Sequence, residues 1–190
     1  MNQNISLAEL ANTNEIYIDT TAIQSEGFRE LMIQNAKAMK DEGNAIKIHR
    51  AVLNAFAKIQ ESGDVCEGTV AEDRLNMLKA LEEGGVIQYI GNQLELRCVE
   101  QMYLEQLVTY RNKKKLSLIS NSYELVHDAL LMNQFGSFFG KEITTFRLSD
   151  EGELIQVTKQ GVTKESSTQT DNSDNTSSQT EKLLKMFGLR

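Results

Sequence analysis

The feature that most constrains this chain is the alternation of short apolar runs with amphipathic helical patterns over residues 1–160. The apolar runs are too short for helices, and the segments between them repeat apolar side chains at spacings of three and four residues. This alternation predicts a three-layer α/β/α fold, in which helices cover both faces of a mainly parallel sheet of about five strands. The strands are predicted at 16–18, 45–48, 86–90, 115–119 and 142–148, with a C-terminal hairpin return at 154–157. The helices are predicted at 27–41, 50–61, 70–81, 96–111 and 123–133.

The composition changes after residue 160. Segment 161–180 contains the polar run KESSTQTDNSDNTSSQT, which has nothing apolar to bury, so we expect a disordered linker. A short amphipathic peptide, 181–190, ends the chain. A helix of that length is marginal alone, so we expect the peptide to dock on its own domain, on a second copy of the chain or on another protein. Its candidate contact residues are Leu183, Leu184, Met186, Phe187 and Leu189.

Charge and apolar content limit the environment and the partners. The net charge of −7 argues against generic binding to a phosphate backbone, although it is compatible with a local basic groove. No apolar run approaches the ~20 residues that span a membrane, and the N-terminus has no secretory signal pattern. We therefore expect a cytoplasmic protein with no membrane partner. Cys66 and Cys98 lack a CxxC spacing and are interpreted as free buried thiols.

Polar residues follow two of the predicted strands, at the edge where parallel sheets bind ligands. Asp19 follows the first strand, where an acid either begins a turn by accepting local N–H groups or binds a cation. The sequence leaves both interpretations open. The corner after the fourth strand reads Ser120, Asn121, Ser122. Because Asn121 lies three residues before Glu124, the spacing of a capping box, Asn121 is predicted to cap the following helix.

Two acids on predicted helices carry a weaker signal. Glu100 borders the apolar stripe of its helix, so its carboxylate lies either at the rim of the core or in a polar pocket. Asp128 lies one turn after Glu124, which favours a solvated helix face. The basic run 111–115 is interpreted as a complement to a helix C-terminal dipole, with contact to nucleic-acid phosphates as the alternative.

Three stretches resemble the PIN-like domain, a nuclease fold, over residues 14–157. EIYIDTTAI resembles its first strand with a metal-binding Asp, IKIHRAVLNAF resembles the second strand and its helix, and LSLISNSYELVHDALLMN resembles the fourth strand and its helix. In that family, three or four acids at the strand ends hold divalent cations that orient a water and neutralise the scissile phosphate. The resemblance therefore implies Mg²⁺ or Mn²⁺ as the cofactor of an active member, and RNA as a partner.

Carried over residue by residue, the resemblance implies a depleted acidic site. Asp19 matches the first acid and Glu100 the third, so these two are the implied metal ligands. The second acid falls at Ala55 and the fourth at Ser122, and both carboxylates are missing. Asp128 is a poor geometric substitute for the fourth. The implied catalytic residues are Asp19, Glu100 and Asp128, and the implied binding residues are Thr20, Asn54, Asn121 and Ser122.

Three functions remain compatible with the sequence. The first is a catalytically depleted PIN-like module that binds RNA or a protein without cutting. The second is a weak Mg²⁺- or Mn²⁺-dependent endoribonuclease of a toxin or defence type. The third is an adaptor or assembly protein that acts through the tethered peptide 181–190. The loss of two carboxylates favours the first, and the fold alone does not decide among them.

Overall fold

A computed structural model describes residues 5–62, 64–92, 98–135 and 140–158. The predicted linker 161–180 and the peptide 181–190, with its five apolar contact residues, lie outside the described residues.

Six strands form one sheet in the order β3-β2-β1-β4-β5-β6. The first five are mutually parallel, and the last returns antiparallel to its neighbour as a hairpin. The predicted fold class is therefore confirmed, and so is the C-terminal hairpin. The strands are β1 Glu15–Ile18, β2 Ile46–His49, β3 Ile87–Ile90, β4 Leu116–Ile119, β5 Ile143–Leu148 and β6 Leu154–Val157.

Helices connect the parallel strands and cover the sheet. Right-handed crossovers place the helices that lead from β1 to β3 on one face and those that lead from β3 to β5 on the other. Consistent with this, α1, α2 and α3 pack together, α4 packs on α5, and α6 packs on α7. The helices are α1 Leu7–Thr13, α2 Thr20–Gln24, α3 Gly27–Glu42, α4 Ala51–Glu61, α5 Val65–Glu83, α6 Val99–Tyr110 and α7 Tyr123–Met132, with a 3₁₀ turn at Asn133–Phe135. None of the helices in the described ranges has both the length and the apolar character needed to cross a membrane.

The two central strands are buried on both faces. In β1, Ile16, Tyr17 and Ile18 are at most 1% exposed, and every residue of β4 is buried. Strands covered on both sides read as continuous apolar runs, which is why these two are recognisable in the sequence. Ser117 interrupts the run in β4, and its hydroxyl accepts a hydrogen bond from the side-chain amide (Nδ2) of Asn14 at 2.8 Å.

Two predictions about the helical layer need correction. Helix α5 begins at Val65 and not at residue 70, because the Asp64 carboxylate accepts the amides of Cys66 and Glu67 and so starts the helix earlier. Cys66 and Cys98 are free, as predicted, but both are exposed and not buried. Their positions explain this, since Cys66 lies in the first turn of α5 and Cys98 is the residue just before α6.

Helix α3 approaches the β5–β6 turn closely enough to require glycine. A Cβ built on Gly27 would lie 1.7 Å from the carbonyl oxygen of Ser149. Gly68, in α5, is the opposite case, because a Cβ there meets nothing closer than the Gln60 Cα at 3.9 Å. Substitution of each glycine by alanine therefore tests a different effect. At Gly27 it tests steric crowding against the β5–β6 turn, and at Gly68 it tests helix propensity.

We predict that Gly27→Ala lowers the stability of the fold by about 1–3 kcal/mol, the usual cost of overpacking. Gly68→Ala is the matched control and should raise stability by roughly 0.5–1 kcal/mol, because alanine is the better helix former. Urea unfolding followed by far-UV circular dichroism measures both. A Gly27→Ala variant as stable as the wild type contradicts the close packing of α3 on the turn.

Candidate functional site

The strand order reverses between β1 and β4. From β1 the chain moves to β2 on one side, whereas from β4 it moves to β5 on the other. In open parallel sheets, the crevice beyond the carboxyl ends of two such strands is the usual ligand site. Asp19 directly follows β1 and Ser120 directly follows β4, so the two strand-end segments singled out in the sequence meet there.

Asp19 is buried and acts as the N-cap of α2. Asp19 is only 2% exposed, and its side-chain carboxylate accepts a hydrogen bond from the Ala22 amide at 3.0 Å. The Thr21 hydroxyl lies 2.9 Å from both carboxylate oxygens, and the Ser120 hydroxyl donates to Oδ2 at 2.9 Å. Each oxygen therefore already has a protein donor. Of the two interpretations left open by the sequence, the structure realises the turn and cap.

The corner after β4 is held in the same network. The Ser120 Oγ accepts the Ser122 amide at 3.0 Å while it donates to Asp19. The Asn121 amide donates to the Thr21 hydroxyl at 3.0 Å, which leaves the hydroxyl proton for the Asp19 carboxylate. Two strand ends that are far apart in sequence are thus tied through a carboxylate and two hydroxyl groups.

The capping prediction for α7 is wrong by one residue. Ser122, and not Asn121, is the N-cap, and its hydroxyl accepts the Leu125 amide at 3.3 Å. Asn121 instead pairs with the backbone of Leu148 at the end of β5, donating to its carbonyl at 3.1 Å and accepting its amide at 2.8 Å. Asn121 therefore links β4 to β5, a tertiary role that local spacing does not reveal.

Burial dominates the electrostatics of Asp19. Removal from water raises the pKa of this carboxyl above its ordinary value, and the hydrogen bonds from Ala22, Thr21 and Ser120 offset that rise only in part. The folded state therefore holds the Asp19 proton more tightly than the unfolded chain does.

Thr20 contributes a buried polar atom without a partner. Its Oγ1 is the one buried side-chain oxygen or nitrogen in the described ranges that makes no hydrogen bond. Its neighbour Thr21 has the same side chain and makes three contacts in the Asp19 network. The Thr21 hydroxyl is thus hydrogen-bonded, whereas the Thr20 hydroxyl, beside it in the sequence, is not.

The other implied site residues have different surroundings. Glu100 lies in the first turn of α6, partly exposed, with the Cys98 thiol donating to its carboxylate. Asp128 is six residues beyond the Ser122 cap, which places it roughly 9 Å along the axis of α7. Its carboxylate lies 3.7 Å from His127 Nδ1, and burial raises its pKa although His127 opposes the rise. Asn54 is partly exposed in the first turns of α4.

The residues at this corner do not fit a divalent-cation site of the implied kind. Hard cations take several oxygen ligands, yet each Asp19 oxygen already accepts a protein donor, so a cation has to compete with these donors for it. Ser122, which caps α7, stands in the place of the fourth acid and supplies no carboxylate. Across the described residues, no three His, Cys, Asp or Glu side chains are grouped so that they hold a metal ion.

Sequence reasoning missed a second polar contact at the same edge. The Tyr103 hydroxyl, on α6, donates to the Ile18 carbonyl and accepts the His49 amide at 3.1 Å. The His49 ring is buried, its Nδ1 accepts the Ala51 amide at 3.2 Å, and it packs against Gly91, where a Cβ would lie 1.9 Å from Nε2. The helical spacing places Tyr103 only in the apolar stripe of its helix. The apolar neighbours of its ring give no signal for the hydroxyl.

A scan against protein-family models and a search of the curated proteins found no match for this chain.

We predict that the two threonines respond oppositely to removal of the hydroxyl. Thr21→Val should lower stability by about 1–3 kcal/mol, because it leaves the Asn121 amide and an Asp19 oxygen short of a partner. Thr20→Val removes an unpaired hydroxyl and should be neutral or stabilising by up to roughly 1 kcal/mol. Urea unfolding midpoints give the comparison. Equal losses in both variants contradict the assignment of Thr20 Oγ1 as unpaired.

We further predict that Asp19 makes stability fall as the pH rises. Because its folded-state pKa is raised, its contribution is fully present below the unfolded value, near 3.8, and is lost as the pH rises through the folded value. An asparagine side chain does not titrate, so Asp19→Asn should gain stability relative to the wild type as the pH rises from 4 towards neutrality. Denaturant unfolding at each pH measures this difference. Ser120→Ala, which removes a hydrogen bond to the carboxylate, should steepen the dependence, and a difference independent of pH contradicts the assignment.

Proposed function

We propose that this chain is a PIN-like domain that binds RNA or protein without cutting, and that its strand-end corner is a structural joint. The observation that carries the proposal is the engagement of both Asp19 carboxylate oxygens by donors within the fold: the Ala22 amide, the Ser120 hydroxyl and the Thr21 hydroxyl. A carboxylate that activates a metal-bound water has to offer oxygen lone pairs to the cation. Here three protein donors share the roughly four lone-pair positions of the carboxylate, and the donor from Ser120 links the ends of β1 and β4.

The sheet order supports the proposal at the level of architecture. The crevice stands where parallel α/β sheets place their ligands, so the scaffold is suited to binding. Fold alone does not specify chemistry, and the two missing carboxylates at Ala55 and Ser122 remove the groups that the resemblance assigns to catalysis. A binding function requires neither of these two carboxylates.

We predict that single-stranded RNA stays intact when it is incubated with the purified chain in Mg²⁺ or in Mn²⁺. Asp19→Asn, which preserves the size of the side chain, should behave like the wild type in the same assay. A denaturing gel of a labelled RNA, sampled over hours, gives the readout, and EDTA is the control for adventitious nuclease.

The opposite result is equally specific. Cleavage that requires the divalent cation and disappears in both Asp19→Asn and Glu100→Gln establishes a metal-dependent ribonuclease and overturns the proposal. Cleavage that persists in both variants points to a contaminant and is removed by further purification before the assay is repeated.

A further inference from the structure

A groove lined by lysines lies at the amino edge of the sheet, on the side opposite Asp19. Strands β1, β2, β4 and β5 begin there because parallel strands share one direction. Lys47 comes from β2, Lys114 and Lys115 directly precede β4, and Lys141 precedes β5. These four lysines, with the residues between them, border an open surface groove with a volume of about 560 Å³. We call it the amino-edge groove.

One carboxylate, Glu15, is present among the residues that line the amino-edge groove. It is already matched, since Lys114 forms a salt bridge with it and the Tyr17 hydroxyl donates to it at 2.7 Å. Burial alone raises the pKa of Glu15, but the hydrogen bonds from Lys114 and Tyr17 outweigh burial and lower it. Glu15 is therefore ionised and paired with Lys114, and its charge also attracts Lys47. One carboxylate thus faces four lysines, which leaves an excess of positive charge in the groove.

The remaining three ammonium groups have neutral hydrogen-bond partners or none in the described part of the chain. Lys47 donates to the side-chain oxygen of Gln88, and Lys141 donates to the carbonyl of Lys113 at 3.1 Å. Lys115 is exposed and makes no ion pair with a described residue. Although the whole chain has a net charge of −7, the ammonium groups in the groove repel one another and attract anions. A bound anion relieves that repulsion.

The arrangement of the lysines selects an extended anion. The strands that carry or follow them are neighbours in the order β2, β1, β4, β5, so the row spans about 14 Å at ~4.8 Å per strand. One inorganic phosphate does not reach across that row, whereas a chain of phosphates does. Because the four lysines form one row, they suit the phosphates of a single extended strand.

An exposed aromatic residue, Tyr110, lies just before the lysine-bearing turn and outside the residues that line the groove. Tyr110 is 36% exposed at the end of α6, and its carbonyl accepts the amides of Lys113 and Lys114 at 2.9 and 3.0 Å. The lysine-bearing turn is thus folded onto the helix end that presents this ring. Lysines that track a backbone beside an aromatic ring for base stacking are the combination that single strands bind.

We propose that the amino-edge groove binds the phosphodiester backbone of a single-stranded nucleic acid, an inference that rests on the proposed binding function and assigns it a surface. The lysines neutralise successive phosphates and release their counterions, which makes the affinity depend on salt. The net negative charge of the rest of the chain repels the remainder of the polyanion and confines it to the groove.

The test compares two double variants that change the net charge equally. Lys115→Gln with Lys141→Gln alters the amino-edge groove, and Lys58→Gln with Lys79→Gln alters exposed lysines on α4 and α5. Fluorescence anisotropy with a labelled mixed-sequence single-stranded RNA should show a loss of about tenfold or more in affinity for the groove variant alone. Because that variant neutralises two fewer phosphates, its slope of log K against log salt should fall by about 1.4, and the slope of the control should stay unchanged. Circular dichroism melts confirm that both variants are folded.

The other arms of the experiment identify the source of the phosphates and the outcomes that overturn the proposal. Single-stranded DNA of the same sequence reports whether the sugar is read, and binding to either strand supports the groove. Preference for a duplex, displacement of the RNA by polyglutamate at equal charge concentration, or equal losses in both double variants overturns it. If RNA binds but the affinity of the groove variant is unchanged, the assignment of the binding site to the groove is wrong and the proposed binding function stands. If the wild type binds no RNA, the groove is wrong and the proposed function keeps only its protein partner.

Discussion

The Asp19 carboxylate is the interaction on which the carboxyl edge of this sheet depends. It lies where the strand order reverses, between two strands that belong to different halves of the chain. The donors that satisfy it come from its own helix start and from Ser120, about a hundred residues away in sequence. A buried carboxylate without such donors is costly, so the network makes its burial tolerable and adds a side-chain link between the ends of β1 and β4, which their backbone pairing already holds together. Through Asn121 the same network reaches β5.

This dependence explains which parts of the molecule were predictable from sequence. Every strand, the parallel sheet and the closing hairpin were predicted, because an apolar run of four residues and a helical repeat are local signals. Helices α1 and α2 were missed. The second has five residues, too few to show a helical period, and its start is defined by the Asp19 cap.

The candidate site was predictable in its position but not in its bonding. The sequence placed Asp19 and the Ser120–Ser122 corner at one edge of the sheet, where they are found. The capping-box spacing predicted Asn121 as the cap of α7, which is wrong, because Asn121 and Ser122 are both good caps and Ser122 is the one used. The choice depends on the backbone of Leu148, which occupies Asn121. The sequence also did not indicate that the Tyr103 hydroxyl joins β1 to β2 at the same edge. That contact forms only when α6 is packed on the sheet, so no local pattern reports it.

The two edges of the sheet consequently have opposite chemical characters. At the carboxyl edge, the Asp19, Ser120 and Asn121 side chains are occupied by bonds within the fold, so an incoming ligand has to compete with the protein for them. At the amino edge, four lysines face one groove-lining carboxylate, Glu15, which is paired with Lys114. Lys115 and Lys141 make no ion pair with a described residue, so an anion there replaces at most the contact of Lys141 to a neutral carbonyl. The proposed polyanion site at the amino edge is therefore separate from the Asp19 network, and an anion bound there would leave that network unchanged.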